Sequence, residues 1–328
     1  MLNVFVTYRC QLRCDYCFAR ELQDEYADDM SRENFQRLLG WMRGCGLASA
    51  GFIGGEPTLH PLLPDMIEAT AEAGISPVLF TNALFSEDLA HQLSRSVSNF
   101  VVNYNNPAFY TRRQQKRRDA ALLRLFQAGA RITFSKNFSP GNLEYDYLLQ
   151  GLERYSVRAV RYDLSRPGRS AVNRHFAADE TRLIWGRIVA FARECESRGV
   201  STGLDCCARL CEIPQQDLRY LRRISTKFTG ICHPSIDIHP DLSASYCLPL
   251  HDLHVQDITA FSDSRQAMEH FAGLAKKFRF ENTGGDCPDC SMFKRICQSG
   301  CMALRRPAIP KTPSYHPVKQ TESVQYAN

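Results

Sequence analysis

The sequence predicts an α/β protein, a parallel sheet or barrel followed by a smaller cysteine-rich module, and three observations carry that prediction. Strand-like and helix-like segments alternate about six times over residues 1–201, a pattern that sets active groups at the C-terminal strand ends. The 14 cysteines are uneven: Cys10, Cys14 and Cys17, then Cys45, then Cys195, then nine between 206 and 301. From about Thr202 the pattern changes to short segments rich in Cys, His, Pro and Asp.

Residues 2–8 (LNVFVTY) read as a strand running straight into the first cysteines. Residues 31–43 read as a helix with Ser31 as N-cap and Phe35, Leu38, Leu39 and Met42 on one face. A short strand at 51–53 precedes a helix at 62–73 opened by prolines, then a strand at 77–80 and a helix at 87–93. A strand at 100–104, a helix at 111–127 ended by Gly129 and a strand at 131–134 follow. Residues 142–154 look helical, 157–162 extended, and 179–198 form a long helix stopped by Gly199. The expected organisation is a barrel over 1–201, a cysteine-rich domain over 202–304, and a poorly ordered proline-rich tail over 305–328.

With 328 residues, 44% hydrophobic and 23% charged, the chain has the profile of a soluble globular protein rather than a disordered or fibrous one. No apolar run approaches the roughly 18 residues of a membrane-spanning helix. The first residues lack the basic and apolar regions of a signal peptide. The expected location is therefore the cytoplasm, where clustered cysteines bind metal or do chemistry more often than they form disulfides. A net charge of +5 is mild, whereas nucleic-acid binding usually asks for a more basic domain.

Cys10, Cys14 and Cys17 form C-x3-C-x2-C directly after the first strand. Three such thiolates can wrap one iron–sulfur cube and leave its fourth iron without a protein ligand. A structural zinc site wants four ligands, so the zinc reading has to borrow one elsewhere. Gly54-Gly55-Glu56-Pro57-Thr58 follows the short strand at 51–53. Paired glycines allow close backbone approach, and Glu56 sets a carboxylate at the strand end that can receive an amino group. Alone, these residues could be a turn before the next helix. Behind the three cysteines they read as the second half of one site.

These motifs resemble those of the radical S-adenosylmethionine (SAM) superfamily. Cys10, Cys14 and Cys17 match its cluster motif, Tyr16 supplies the aromatic usual before the third cysteine, and Gly54, Gly55, Glu56 and Pro57 match the motif that holds the SAM amino group. The resemblance covers residues 1 to about 200 and implies a partial (β/α)6 TIM-like barrel. It implies a [4Fe-4S] cluster whose open iron is chelated by the amino and carboxylate groups of SAM. One electron, from an external donor of flavodoxin or ferredoxin type, then releases a 5′-deoxyadenosyl radical that abstracts hydrogen from substrate. Two further strand ends carry over as SAM contacts. Asn82 sits where relatives have Thr-Asn-Gly, and Asn103 sits where a serine touches the SAM ribose or carboxylate. Asn105 stands where an acid is usual.

In the rear, Cys287, Cys290, Cys297 and Cys301 give C-x2-C-x6-C-x3-C, while Cys232 and Cys247 flank a hairpin-like stretch at 236–241. Alone, the four-cysteine run reads as a zinc ribbon. Behind this barrel it resembles a SPASM/twitch-type extension, which implies one or two auxiliary [4Fe-4S] clusters. The chain departs from that pattern in a six-residue spacer where five is usual, in Pro240-Asp241-Leu242 where the third residue is usually glycine, and in having no cysteine beyond Cys301. The resemblance implies one cluster on Cys232, Cys247, Cys301 and an upstream cysteine, expected to be Cys211. The other takes Cys287, Cys290, Cys297 and a fourth ligand from Cys206 or Cys207. Cys45 and Cys195 read as ordinary thiols. His233, His239, His251 and His254 read as surface or hairpin residues.

In sulfatase-maturing relatives an aspartate follows the second hairpin cysteine as base; here Leu248 follows Cys247, which disfavours that activity. With a strand read from residue 2, no preceding cobalamin or leader-binding domain is expected. The leader of a ribosomal peptide substrate would then be read by a separate protein or by the barrel. The basic run at 111–118 (TRRQQKRR) is either a solvated helix face or a dock for an acidic leader or phosphate-bearing substrate. The leading expectation is a radical SAM enzyme that crosslinks, oxidises or epimerises a peptide or protein side chain. The alternatives are a small-molecule radical SAM dehydrogenase or synthase in cofactor, tetrapyrrole or natural-product biosynthesis, and a non-catalytic iron–sulfur or zinc-binding protein. None of these implies a membrane partner.

Overall fold

The computed structural model describes residues 1–177, 179–283, 285 and 287–305. Strand and helix alternate through β1 (Leu2–Thr7), α1 (Arg32–Gly44), β2 (Ser49–Gly54), α2 (Leu63–Glu72), β3 (Ser76–Thr81), α3 (Glu87–Leu93) and β4 (Asn99–Asn103). They continue through α4 (Arg112–Gln127), β5 (Ile132–Phe138), α5 (Asp146–Arg154), β6 (Ala159–Leu164), α6 (Thr181–Ser197) and β7 (Ser201–Leu204). The seven strands are parallel and neighbour one another in chain order, as short right-handed crossovers require. Their register stacks Val4 beside Phe52, Phe52 beside Leu79, and Phe134 between Val102 and Val160. These side chains are buried and belong to one continuous hydrophobic core with the inner faces of the helices. This is the partial TIM-like barrel that the alternation predicts.

Local signals set the helix starts. Ser31 Oγ accepts from Asn34 N (3.0 Å), Ser86 Oγ from Leu89 N (3.2 Å), and Thr111 forms a reciprocal capping box with Gln114. The helix expected at 142–154 begins four residues late. Asn142 is held in a turn by its N–H to Ser139 O (2.8 Å), while its carbonyl and Oδ1 accept from Lys136 Nζ (3.1 and 2.9 Å). Lys136 lies on the helix-facing side of β5, 1% exposed, and burial pushes its ammonium down to about 7.

The rear region departs from expectation in two ways. A division at 202 cuts β7, whose Ser201 and Leu204 pair with Ala159 and Tyr162 of β6. Beyond it come α7 (Gln215–Ile224), β8 (Asp237–Ile238), β9 (Ala244–Ser245), β10 (His254–Val255) and α8 (Ser264–Glu281). Strand β8 pairs in parallel with β1, so the hairpin β8–β9 and strand β10 extend the same sheet past β1. Asp237 fastens this joint: its carboxylate accepts from Asn3 Nδ2 (2.8 Å), Ser235 Oγ (3.0 Å) and Leu248 N (2.7 Å). Helices α7 and α8 were not expected among short segments. Only Leu221 of α7 is buried, and α8 buries a thin stripe of Ala267, Phe271 and Ala275, too narrow to stand out as a helical period. Of the expected tail, Arg305 closes the last helical turn, and 306–328 lie outside the described residues. No described helix is long and apolar enough to cross a membrane.

Candidate functional site

A cavity of about 230 Å³ opens at the C-terminal ends of the barrel strands. Its wall includes Cys10, Cys14, Tyr16 and Cys17 from the loop after β1, Gly54 and Gly55 after β2, Asn82 after β3, and Asn103 at the end of β4. The sequence motifs therefore meet in one place. The two glycines serve the cysteine loop first. A Cβ on Gly54 would lie 2.2 Å from Thr7 O, and one on Gly55 2.4 Å from Tyr8 O and Arg9 O. Their absence lets Gly55 N and Glu56 N donate to Thr7 O (2.9 Å) and Arg9 O (2.8 Å), which fixes the root of the loop that carries Cys10.

Glu56 differs from the expectation that its side chain receives an amino group. It is fully buried and does not line the cavity; Oε1 accepts from Thr58 N, Thr58 Oγ1 and Thr81 Oγ1, and Oε2 from Asn82 N (2.7 Å). Burial raises its pKa against these four donors. Its carboxylate ties the end of β2 to the end of β3 and thereby positions Asn82. Pro57 is likewise buried, opening a short 3-10 turn behind the wall rather than facing the cavity.

Asn82 Nδ2 stands 4.0 Å from Cys10 Sγ, and Leu12 N donates to the same sulfur (3.4 Å). Tyr16 is buried; its hydroxyl accepts from Asn103 Nδ2 (3.0 Å) and donates to Asn105 Oδ1 (2.7 Å). Asn103 Oδ1 is buried with no hydrogen-bond partner among the described residues. Burial pushes the Cys10 and Cys14 thiols up to about 12 and about 11, and raises Cys17 as well. Asn173 Nδ2 donates to Tyr16 O (2.8 Å) and Arg174 N to Asp15 O (2.8 Å), so the loop after β6 folds over the cysteines.

The far wall contains residues that sequence reasoning missed: Ser135 and Asn137 of β5, Arg161 and Asp163 of β6, and Asp205 after β7. The signal was available, because polar residues alternate with core residues on β5 and β6 and face the barrel axis. Arg161 pairs with Asp205, and Asp163 faces the buried Arg166.

The rear cysteines sort into two groups, and two expected partners change. Cys207 is hydrogen-bonded to Cys232, which also accepts from Tyr246 Oη (3.6 Å); Cys247 and Cys301 lie in the field of Cys232. Cys211, expected in this group, instead faces Cys287 and Cys297. The segment 207–211 explains the exchange. It runs beside the 297–301 loop, where a Cβ on Gly300 would lie 3.1 Å from Arg209 Cβ and the Arg209 side chain is hydrogen-bonded to Cys287, so its ends point to different groups. Cys287 Sγ donates to Ser299 Oγ (3.2 Å), and Cys290 N donates to Cys287 O (3.1 Å). Cys206 sits beside Asp163 and Asp205, with ligand atoms within 4.8 Å, and also lies in the field of Cys301 and Cys207 of the first group. Cys195 is buried in α6 and Cys45 caps α1.

Of the four rear histidines, His233 and His254 are exposed and His239 follows β8 in the hairpin, as expected, but two of the four are not at the surface. His239 and His251 are buried in an aromatic stack with Tyr8 and Tyr26; His239 bonds Tyr8 Oη (2.7 Å) and Ser245 Oγ (3.1 Å). They join the rear hairpin to the end of β1. Of the basic run, Arg118 is buried between Tyr104 and Tyr110 while Arg112, Arg113, Lys116 and Arg117 face solvent.

A partial barrel with three free cysteines on one loop above its strand ends is the architecture of an iron–sulfur protein whose cluster keeps an open iron. Residues 4–128 match the Radical SAM superfamily, and the chain carries a radical SAM domain. Fe-coproporphyrin III synthase of Methanosarcina barkeri is 25% identical over 234 residues, 66% of this chain and 57% of that protein, so the chain matches just over half of its relative's length. Among solved structures, SuiB of Streptococcus suis bound to precursor peptide SuiA superimposes with a TM-score of 0.65 at 15% identity, covering 92% of this chain and 71% of that one. Native anSMEcpe with bound AdoMet and Kp18Cys peptide gives 0.66 at 15% identity, covering 92% and 88%. The domain's cofactors are SAM and a [4Fe-4S] cluster, and the cavity fits them: three free thiols and the unpartnered Asn103 Oδ1 share its wall.

Proposed function

We propose that this chain is a radical SAM enzyme acting on a peptide or protein side chain, by crosslinking, oxidation or epimerisation. In this reading Cys10, Cys14 and Cys17 hold the cluster, and Gly54, Gly55, Asn82 and Asn103 form the SAM side of the site. The observation that carries it is one cavity joining three free thiols to the polar ends of neighbouring strands. With cluster and SAM bound, the site would supply the 5′-deoxyadenosyl radical chemistry of hydrogen abstraction. The chain's residues position and shield. Glu56 holds Asn82 in place, Asn103 Oδ1 offers an acceptor, and the loop at 165–176 excludes water over the cysteines. Ser135, Asn137, Arg161, Asp163 and Asp205 form the substrate side.

The two rear groups are read as auxiliary [4Fe-4S] sites, one on Cys207, Cys232, Cys247 and Cys301, the other on Cys211, Cys287, Cys290 and Cys297. A flavodoxin- or ferredoxin-type donor would deliver the electron, and a reducing cytoplasm suits 14 cysteines. A separate protein reading a peptide leader belongs to the same proposal. Peptide-bound SuiB and anSMEcpe, alike over 92% of this chain, support the substrate class. The sequence match to a porphyrin synthase supports the second reading, a small-molecule radical SAM synthase. Anaerobic reconstitution, reduction with dithionite and addition of SAM should yield 5′-deoxyadenosine. Mass spectrometry of a co-expressed peptide, against an added iron porphyrin, separates the two substrates. Absence of 5′-deoxyadenosine sinks both.

A further inference from the structure

We propose that Asn105 is a positioning residue that raises the reduction potential of the front cluster by donating a hydrogen bond to the Cys14 sulfur. The inference rests on the reading of Cys10, Cys14 and Cys17 as ligands.

The geometry is directional. Asn103 Nδ2 donates to the Tyr16 hydroxyl at 3.0 Å, and that hydroxyl donates its proton to Asn105 Oδ1 at 2.7 Å. With Oδ1 occupied as an acceptor, Nδ2 is the end of the amide that faces Cys14 Sγ, at 3.8 Å. The amide orientation thus follows from the hydrogen-bond network. Tyr16 Oη is also within hydrogen-bonding reach of Cys14, so its single proton is shared between that sulfur and Asn105 Oδ1, while Asn105 Nδ2 adds its own donor.

The backbone of Asn105 is equally constrained. Its carbonyl accepts from Arg118 Nη1 (3.4 Å), and Arg118 is held over the rings of Tyr104 and Tyr110 at 4.5 and 4.9 Å and paired with Asp119. Asn105 itself is 2% exposed. A buried arginine, two tyrosines and an amide chain therefore converge to aim one N–H at one sulfur. This also gives the last arginine of the basic run a task distinct from that of its exposed neighbours.

The chemistry follows from charge. On reduction the cluster gains one electron, and its thiolate sulfurs carry part of the added negative charge. A donor aimed at a ligand sulfur stabilises that charge and raises the potential. An acid at position 105 would present acceptor oxygens in place of the donor and oppose the electron. The amide at position 105 thus eases reduction by a donor of given potential.

The test is a dithionite-poised redox titration of the full-length, reconstituted protein, following the electron-paramagnetic-resonance signal that changes when SAM is added. That response separates the open-iron cluster from any auxiliary one. Asn105→Leu, which keeps the shape and removes the donor, should lower the reduced-to-oxidised ratio at a fixed potential about threefold. Asn105→Asp should lower it about tenfold, equivalent to about 59 mV for one electron. Iron content and the SAM response should stay as in the unaltered protein. Unchanged midpoints in both variants, with iron and SAM response retained, would overturn the inference, as would an upward shift. Loss of iron without a shift in the remaining signal would mark a merely structural role and overturn it too. Should Asp fail to load a cluster, Leu decides alone. An unaltered protein with no SAM-responsive signal would overturn the ligand reading itself, and the inference with it.

Discussion

The front and rear cysteines solve the same problem in opposite ways. Cys10, Cys14 and Cys17 sit on one short loop whose root is pinned by β1 and the Gly54–Gly55 backbone. The rear cysteines come from four stretches of chain, at 206–211, 232, 247 and 287–301. In the front, spacing along the chain already brings the thiols together. In the rear, two cysteines four residues apart, Cys207 and Cys211, go to different groups because the segment between them runs alongside the 297–301 loop.

The sharpest way to break this comparison is at the front. Cys14→Ala should abolish 5′-deoxyadenosine formation while leaving about eight of about twelve irons, those of the rear sites. Retained SAM cleavage would mean that the loop is not the cluster site. Next come the rear pairings, read by iron and sulfide analysis. Cys207→Ser and Cys211→Ser should each remove about four irons. Combining Cys207→Ser with Cys232→Ser should cost no more than either alone, whereas Cys211→Ser with Cys232→Ser should cost about eight. The reverse pattern would restore Cys211 to the hairpin group.

The joint between the regions is the third test. Asp237→Ala strands three donors, on Asn3, Ser235 and Leu248, and should lower stability by about 3 kcal/mol in urea. If β8 truly continues the barrel sheet, absorbance of the rear clusters and far-UV circular dichroism should be lost in one transition. Two separate transitions would show that the regions fold independently. The smallest effect concerns Lys136. Its folded value near 7 lies below its ordinary 10.5, so between those values the unfolded chain holds more protons and stability rises with pH. Lys136→Met removes that dependence. The stability of Lys136→Met relative to the unaltered protein should therefore fall by about 2 kcal/mol between pH 7 and about pH 9, measured by urea unfolding. An unchanged difference would mean that Lys136 stays charged in the folded state.

Much of the barrel was legible because its signals are local. Ser31, Ser86 and Thr111 cap helices with their own first turns, and the strands are short apolar runs ending in polar residues. The late start of α5 was not legible, because it depends on Lys136 claiming both oxygens of Asn142. Helix α8 was hidden by its narrow apolar stripe. Glu56 was found as a site residue, but its placement behind the wall depends on donors from Thr81 and Asn82, on another strand. The same holds for His239 and His251, loop residues by sequence and buried ones in space.

The sequence by itself determined the alternating fold, the three-cysteine loop and the glycine pair beside it, since each depends on neighbours within a few residues. Only the tertiary structure decided which rear cysteines face each other, that the rear hairpin joins β1, and that Asn105 aims its amide at Cys14. Those depend on side chains brought together from remote segments, where packing and hydrogen-bond direction select among arrangements that spacing leaves equivalent.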